Sequence, residues 1–84
     1  MPYIHQEDRP KFTDMFCAIP EIKTAGELNY AITMICKDYI EDNGTCYQTY
    51  NDIIGALEGC KLEFYRRLVG PYEDKKALIN GDVY

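Results

Sequence analysis

The chain has no serine and no tryptophan, a single histidine at position 5, and no two cysteines in a C-x-x-C step. Each absence removes a kind of chemistry. A nucleophile-plus-base scheme needs His or Lys poised beside Ser, Thr or Cys. His5 stands among charged residues near the N-terminus with nothing nearby to orient it. Carboxylate pairs such as Glu58 with Asp52 or Glu73 with Asp74 read as surface charge. No catalytic residue is expected, and the protein is read as not an enzyme. Cys17, Cys36, Cys46 and Cys60 lie in four separate places, none helically spaced from His5, so neither a zinc site nor any other metal or cofactor is implied. Basic residues are also short: 9 Lys and Arg face 14 Asp and Glu, leaving a net charge of -5. Nucleic-acid polymers and anionic membranes both need a net basic surface, so neither is an expected partner. No apolar run is long enough for a membrane span, and MPYIHQEDRP carries neither a basic n-region nor an apolar h-region. The expectation is a cytoplasmic protein with free thiols, Cys36 and Cys60 acting as small buried hydrophobes on apolar stripes.

What is present is enough apolar residue to fold, 46% of a chain of 84 residues. A single domain this small buries only about 60 to 65% of its unfolded surface, so a second copy is one route to adequate stability. Helical periodicity dominates. Phe12, Met15, Phe16 and Ile19 form one stripe in a helix over about 8–19, with Asp8 as N-cap and Pro10 in the first turn. Pro20 forces Ile19 out of α geometry and ends it. A second helix over about 26–42 carries Leu28, Ile32, Ile35, Cys36 and Tyr39 on one face, with Thr24 or Gly26 as cap and Asn43-Gly44 as the stop. Tyr30 and Met34 form an apolar pair away from that face. After a link over 45–49, a third helix of about 50–69 starts from Thr49 or Asn51 and ends at Gly70-Pro71, and a short helix over about 72–79 precedes Asn80-Gly81. Short loops between such helices give an all-α fold, a small antiparallel three-helix bundle with an extended N-terminal arm and a short C-terminal tail.

The third helix has two faces to bury. Tyr50, Ile53, Ile54, Leu57, Cys60, Phe64 and Leu68 make the core stripe. On the far side Gly55, Leu62 and Val69 recur every seventh residue, and Gly55 with Gly59 forms a small-xxx-small step. A solvated face would not repeat in this way. Gly55, Gly59, Leu62 and Val69, with Met34, are therefore expected to meet another copy of the chain in a homo-oligomer.

One block suits a small anionic ligand. Lys61, Tyr65, Arg66 and Arg67, with Tyr30 and Tyr72, bring aromatic faces near guanidinium groups, so a nucleotide base can stack while its phosphates take bidentate bonds. Focused cations of this kind serve a small ligand even on an acidic protein. The competing reading is structural: Glu63 pairs with Arg66 and Arg67 at helical spacing, and the arginines favour a helix C-terminus. Lys61 lies on the arc of Leu57 and Phe64, so its amine must reach outward, meet a carboxylate or hold an anion.

PYI near the start, GELNYAI at 26–32, GALEGCKLEFYRR at 55–67, PYEDKK at 71–76 and NGDVY at the end together resemble a family of short proteins from phages and gut-type bacteria known only by an unknown-function label. The resemblance covers nearly the whole chain, while the Ile19-Pro20 region and Cys46 are individual to this member. It implies a small helical protein and no catalytic residue. A phage setting implies action by binding: an anti-defence sponge for a nucleotide signal or, as the alternative, an interaction module that inhibits a host protein through an apolar helix face.

Overall fold

In the computed structural model, which describes residues 1–84, the chain is all-helical and has no strand. The helices are α1 (Thr13–Ala18), α2 (Ala25–Asn43), α3 (Tyr47–Phe64) and α4 (Gly70–Asn80), with a π-helical turn over Tyr65–Val69 joining the last two. The chain divides into two compact units. One is Tyr3–Ile54; the other is Gly55–Tyr84 together with Met1–Pro2.

In the unit Tyr3–Ile54, the first helical stretch starts later than its apolar stripe predicts. Gln6–Asp8 and Pro10–Phe12 are 3-10 turns, and α-helix begins only at Thr13. Asp8 ends the first of these turns rather than capping a helix. Backbone bonds here span three residues, Asp8 N–H to His5 O at 3.0 Å and Phe12 N–H to Arg9 O at 3.0 Å. Pro10 has no N–H for an α-type bond, which favours the tighter pattern. The stop at Ile19 is as predicted: its backbone is extended at φ -63°, ψ 124°, as the residue before a proline must be.

Helix α2 opens on a side-chain cap. Thr24 Oγ1 accepts the Glu27 N–H at 3.1 Å, and Glu27 Oε2 accepts the Lys23 N–H at 3.4 Å. One N–H that the first turn leaves without a helical partner, that of Glu27, is thereby engaged, together with the Lys23 N–H just ahead of the cap. At its end Gly44 takes φ 86°, which disfavours any side chain, and its N–H reaches Ile40 O at 2.7 Å.

The corner between α2 and α3 differs from expectation in a useful way. Residues 45–49 are not all link, because helix resumes at Tyr47 and places Thr49 in its first turn. Thr49 is the one buried polar residue, 3% exposed. Its one hydroxyl proton has two acceptors within reach: Asn43 O at 3.4 Å, and Cys46 Sγ at 3.3 Å when that thiol is ionised. The Tyr50 N–H bonds Cys46 O at 3.2 Å, so Cys46, and neither Thr49 nor Asn51, stands at the helix start. Asp52 ties the corner from the outside, accepting from Tyr39 Oη at 3.1 Å and from Gln48 Nε2 at 2.7 Å.

In the other unit, Gly70-Pro71 does not end the helix. Pro71 lacks the N–H that an α-helix would direct to Arg67, and its ring would crowd that carbonyl. The Gly70 N–H instead bonds Tyr65 O, five residues back, and the helix passes the proline through one wider turn. Pro71 then lies in the first turn of α4, where a proline is tolerated. That helix runs to Gly81, whose φ of 95° turns the chain into the tail.

No apolar side chain is buried in the chain. The α2 stripe stays open, with Leu28 at 50% and Ile35 at 58% exposure, and α3 shows Leu57 at 40% and Phe64 at 57%. The cysteines are free thiols, but Cys60 is exposed and Cys36 only half-buried, which corrects the expectation that stripe position alone would bury them.

Candidate functional site

The π-turn gathers Tyr65, Arg66 and Arg67 on consecutive positions of a continuous helical rod. Glu63 lies one turn earlier and its Oε1 takes both guanidiniums, Arg66 through Nη2 and Arg67 through Nε at 3.5 Å. One carboxylate therefore meets both cations. The arginine side chains are 65% and 61% exposed, so each pair contributes only about 0.2 to 1 kcal/mol. The wider turn also alters the backbone itself. Single π-turns of this kind occur frequently at functional positions.

Lys61 points outward and pairs with Glu58 Oε1 at 3.3 Å, the carboxylate option among those its position on the α3 stripe leaves open. Tyr72 lies in the first turn of α4, where Lys76 Nζ approaches its ring to 5.6 Å. Lys61, Tyr65, Arg66, Arg67 and Tyr72 thus share one unit, and Tyr30 belongs to the other. Two concavities of the 55–84 unit lie away from the arginines. Both lie between the end of α4 and the tail, lined by residues including Asp74, Ala77 and Asp82.

The glycine step is asymmetric. A Cβ on Gly55 would meet nothing within 4 Å, whereas one on Gly59 would come to 3.2 Å from the Met1 nitrogen. The close backbone approach that Gly59 permits is made by the chain's own N-terminus. Leu62 is 57% exposed and Val69 is half-buried. Met34 lines an open apolar groove of ≈ 330 Å³ in the unit 3–54, between the end of α1 and the middle of α2, with Met15, Ile19, Ala31 and Ile35 among its walls.

A second polar constellation escaped the sequence reading. The Thr49 hydroxyl, together with backbone N–H groups of Thr49 and Gln48, favours the charged form of Cys46 and pulls its thiol below the usual range. The hydrogen bond to Asp52 raises Tyr39 above the ordinary tyrosine value, with partial desolvation and the Asp52 charge adding to it. The available signal was the spacing Cys46-x-x-Thr49 after Asn43-Gly44, which puts two capping groups where one suffices. No group of three or more His, Cys, Asp or Glu side chains gathers to hold a metal ion, and His5 is exposed in the arm.

A family model described as Domain of unknown function (DUF6899) matches residues 1–83. The chain belongs to that family. The match spans both units of the DUF6899 chain, arm and π-turn included, so these features form one family domain. No curated protein and no solved structure matches it. No helix is long and apolar enough to cross a membrane.

Proposed function

We propose that this DUF6899 chain is a non-enzymatic binding protein that works as a helical homo-oligomer, the antiparallel bundle expected of its stripes being closed between copies. The observation that carries this reading is the lack of any buried apolar side chain. Surface–mass scaling gives about 5,100 Å² for a folded monomer of 9.7 kDa, and the chain exposes 7781 Å². That excess is well above the roughly 800 Å² each partner contributes to a standard protein interface. At about 25 cal/mol per Å² of apolar surface, covering even part of it stabilises the assembly by more than a small domain's net stability. Sedimentation and thermal unfolding test the reading together. The expected result is a mass of at least two chains and a Tm that rises with protein concentration. A 9.7 kDa particle with a cooperative, concentration-independent transition overturns it.

A second reading is favoured by the π-turn: sequestration of a small anionic, nucleotide-like ligand in the manner of a phage-type anti-defence sponge. Tyr65, Arg66 and Arg67 supply a stacking face and a pair of guanidiniums whose side chains are 65% and 61% exposed. Thermal-shift measurements against linear and cyclic nucleotides test it. A Tm increase that disappears with Arg66→Ala and Arg67→Ala supports the reading, and no shift with any of them removes it.

A further inference from the structure

The apolar groove at Met34 continues along α2 into an acidic end. Asp38, Glu41 and Asp42 follow Met34 by four, seven and eight residues, so they share its helical face. All three are exposed, and none forms an ion pair or side-chain hydrogen bond within the chain. The unit that holds them carries nine acidic residues against four basic ones. The other unit is balanced, five against five, and its exposed apolar residues Leu62, Tyr65 and Leu68 flank the two guanidiniums that share Glu63. Apolar surface next to exposed acid in one unit is thus matched by apolar surface next to exposed guanidinium groups in the other. Two copies of the acidic unit face to face would bring like charges together, which disfavours that pairing.

We infer that the occupant of the α2 groove is the π-turn segment of a second copy, with Leu62 and Tyr65 against Met34, Ala31 and Ile35, and with Arg66 and Arg67 against Asp38, Glu41 and Asp42. The inference rests on the oligomer proposed above and names its surfaces. The contact joins unlike surfaces, so it either forms twice in a closed dimer or repeats around a ring. It also gives the π-turn a use: the wider turn changes the direction of Arg66 and Arg67 relative to Leu62 while the rod stays continuous.

Charge exchange on the full-length chain tests the pairing by sedimentation equilibrium. The native protein should associate at 50 mM salt and weaken severalfold at 500 mM, because exposed flanking charges are screened. Arg66→Glu with Arg67→Glu in one chain, and Asp38→Lys with Glu41→Lys in another, should each weaken self-association at least tenfold. An equimolar mixture of the two variants should restore it, since each altered surface then meets its complement, and far-UV circular dichroism should recover helicity in the mixture if the separate variants lose it. The conservative Arg66→Lys with Arg67→Lys chain should associate nearly as the native one does. Native association that is insensitive to both charge reversals, or a mixture that stays as dissociated as its components, overturns the pairing and leaves the oligomer standing. A native chain that is monomeric overturns both.

Discussion

The two units solve the problem of helix ends in opposite ways. In residues 3–54 the chain stops its helices and holds the stops with side chains: Thr24 caps α2, Gly44 closes it, and Thr49 with Cys46 builds the corner into α3. In residues 55–84 the helix meets a proline and continues, at the cost of one π-turn. The first unit invests its polar groups in internal bonds and carries the whole net charge of -5; the second is neutral and leaves two guanidiniums reaching outward. Stopping a helix engages local side chains as caps, whereas running through a proline shifts the backbone bond of Gly70 to the carbonyl five residues back. The capped unit thus ties its helix ends with side chains while Asp38, Glu41 and Asp42 stay exposed, and the through-running unit, neutral as a whole, keeps Arg66 and Arg67 exposed beside Glu63.

Substitutions can break that contrast, and the largest loss is expected at the corner. Thr49→Val keeps the shape and removes the hydroxyl of the one buried polar residue, with its contacts to Asn43 O and Cys46 Sγ, and should lower stability by about 1 to 1.5 kcal/mol in urea unfolding. A loss under about 0.5 kcal/mol would mean the corner is held by the helix backbone alone. Pro71→Ala restores the missing N–H and should act in the opposite direction, stabilising by about 1 to 2 kcal/mol as the π-turn relaxes to α-helix. Hydrogen exchange at residues 70–72 would register the change, and an unaltered pattern would show that the turn is fixed by something other than the proline. Thr24→Ala removes the α2 cap and should cost about 1 kcal/mol.

The glycine pair sharpens the comparison at smaller magnitude. Gly55→Ala fills open space inside a helix and should stabilise an isolated chain by about 0.5 to 1 kcal/mol, whereas Gly59→Ala pushes its Cβ against the Met1 backbone and should gain less or lose. If Gly55→Ala is the more damaging of the two, a second backbone lies against residue 55 in the assembly.

The smallest effects are those of pH. Tyr39 is raised in the folded state, so its contribution is complete below the ordinary tyrosine pKa and is lost as pH rises through the folded value, above 10. Cys46 is lowered, so its contribution is complete above the ordinary thiol value and fades as pH falls through the folded one. Iodoacetamide should accordingly modify Cys46 faster than exposed Cys17 or Cys60 near neutral pH, and Thr49→Val should remove most of that difference.

Much of the architecture was legible because its causes lie within four residues. Ile19 is extended because Pro20 follows it, Gly44 turns because it lacks a Cβ, and Glu63 reaches Arg66 and Arg67 because helical spacing puts them on one side. The late start of α1 was missed because the 8–12 stretch carries a helical apolar stripe, and periodicity does not separate 3-10 turns from α-helix over so few residues. The helix stop assigned to Gly70-Pro71 failed for a related reason. A proline ends a helix only when breaking costs less than widening by one residue, and here the strong helical patterns on both sides favour widening.

By itself, then, the sequence determined that the chain is helical, where two of its helices stop, and that Glu63 pairs with Arg66 and Arg67. Each of these follows from short-range sterics or from helical spacing. Only the tertiary structure decided that the Met1 backbone approaches Gly59, that Thr49 is buried at a corner, and that Tyr30 and the arginines belong to different units. These depend on which distant backbone reaches a given side chain first, and no local pattern in the chain encodes that competition.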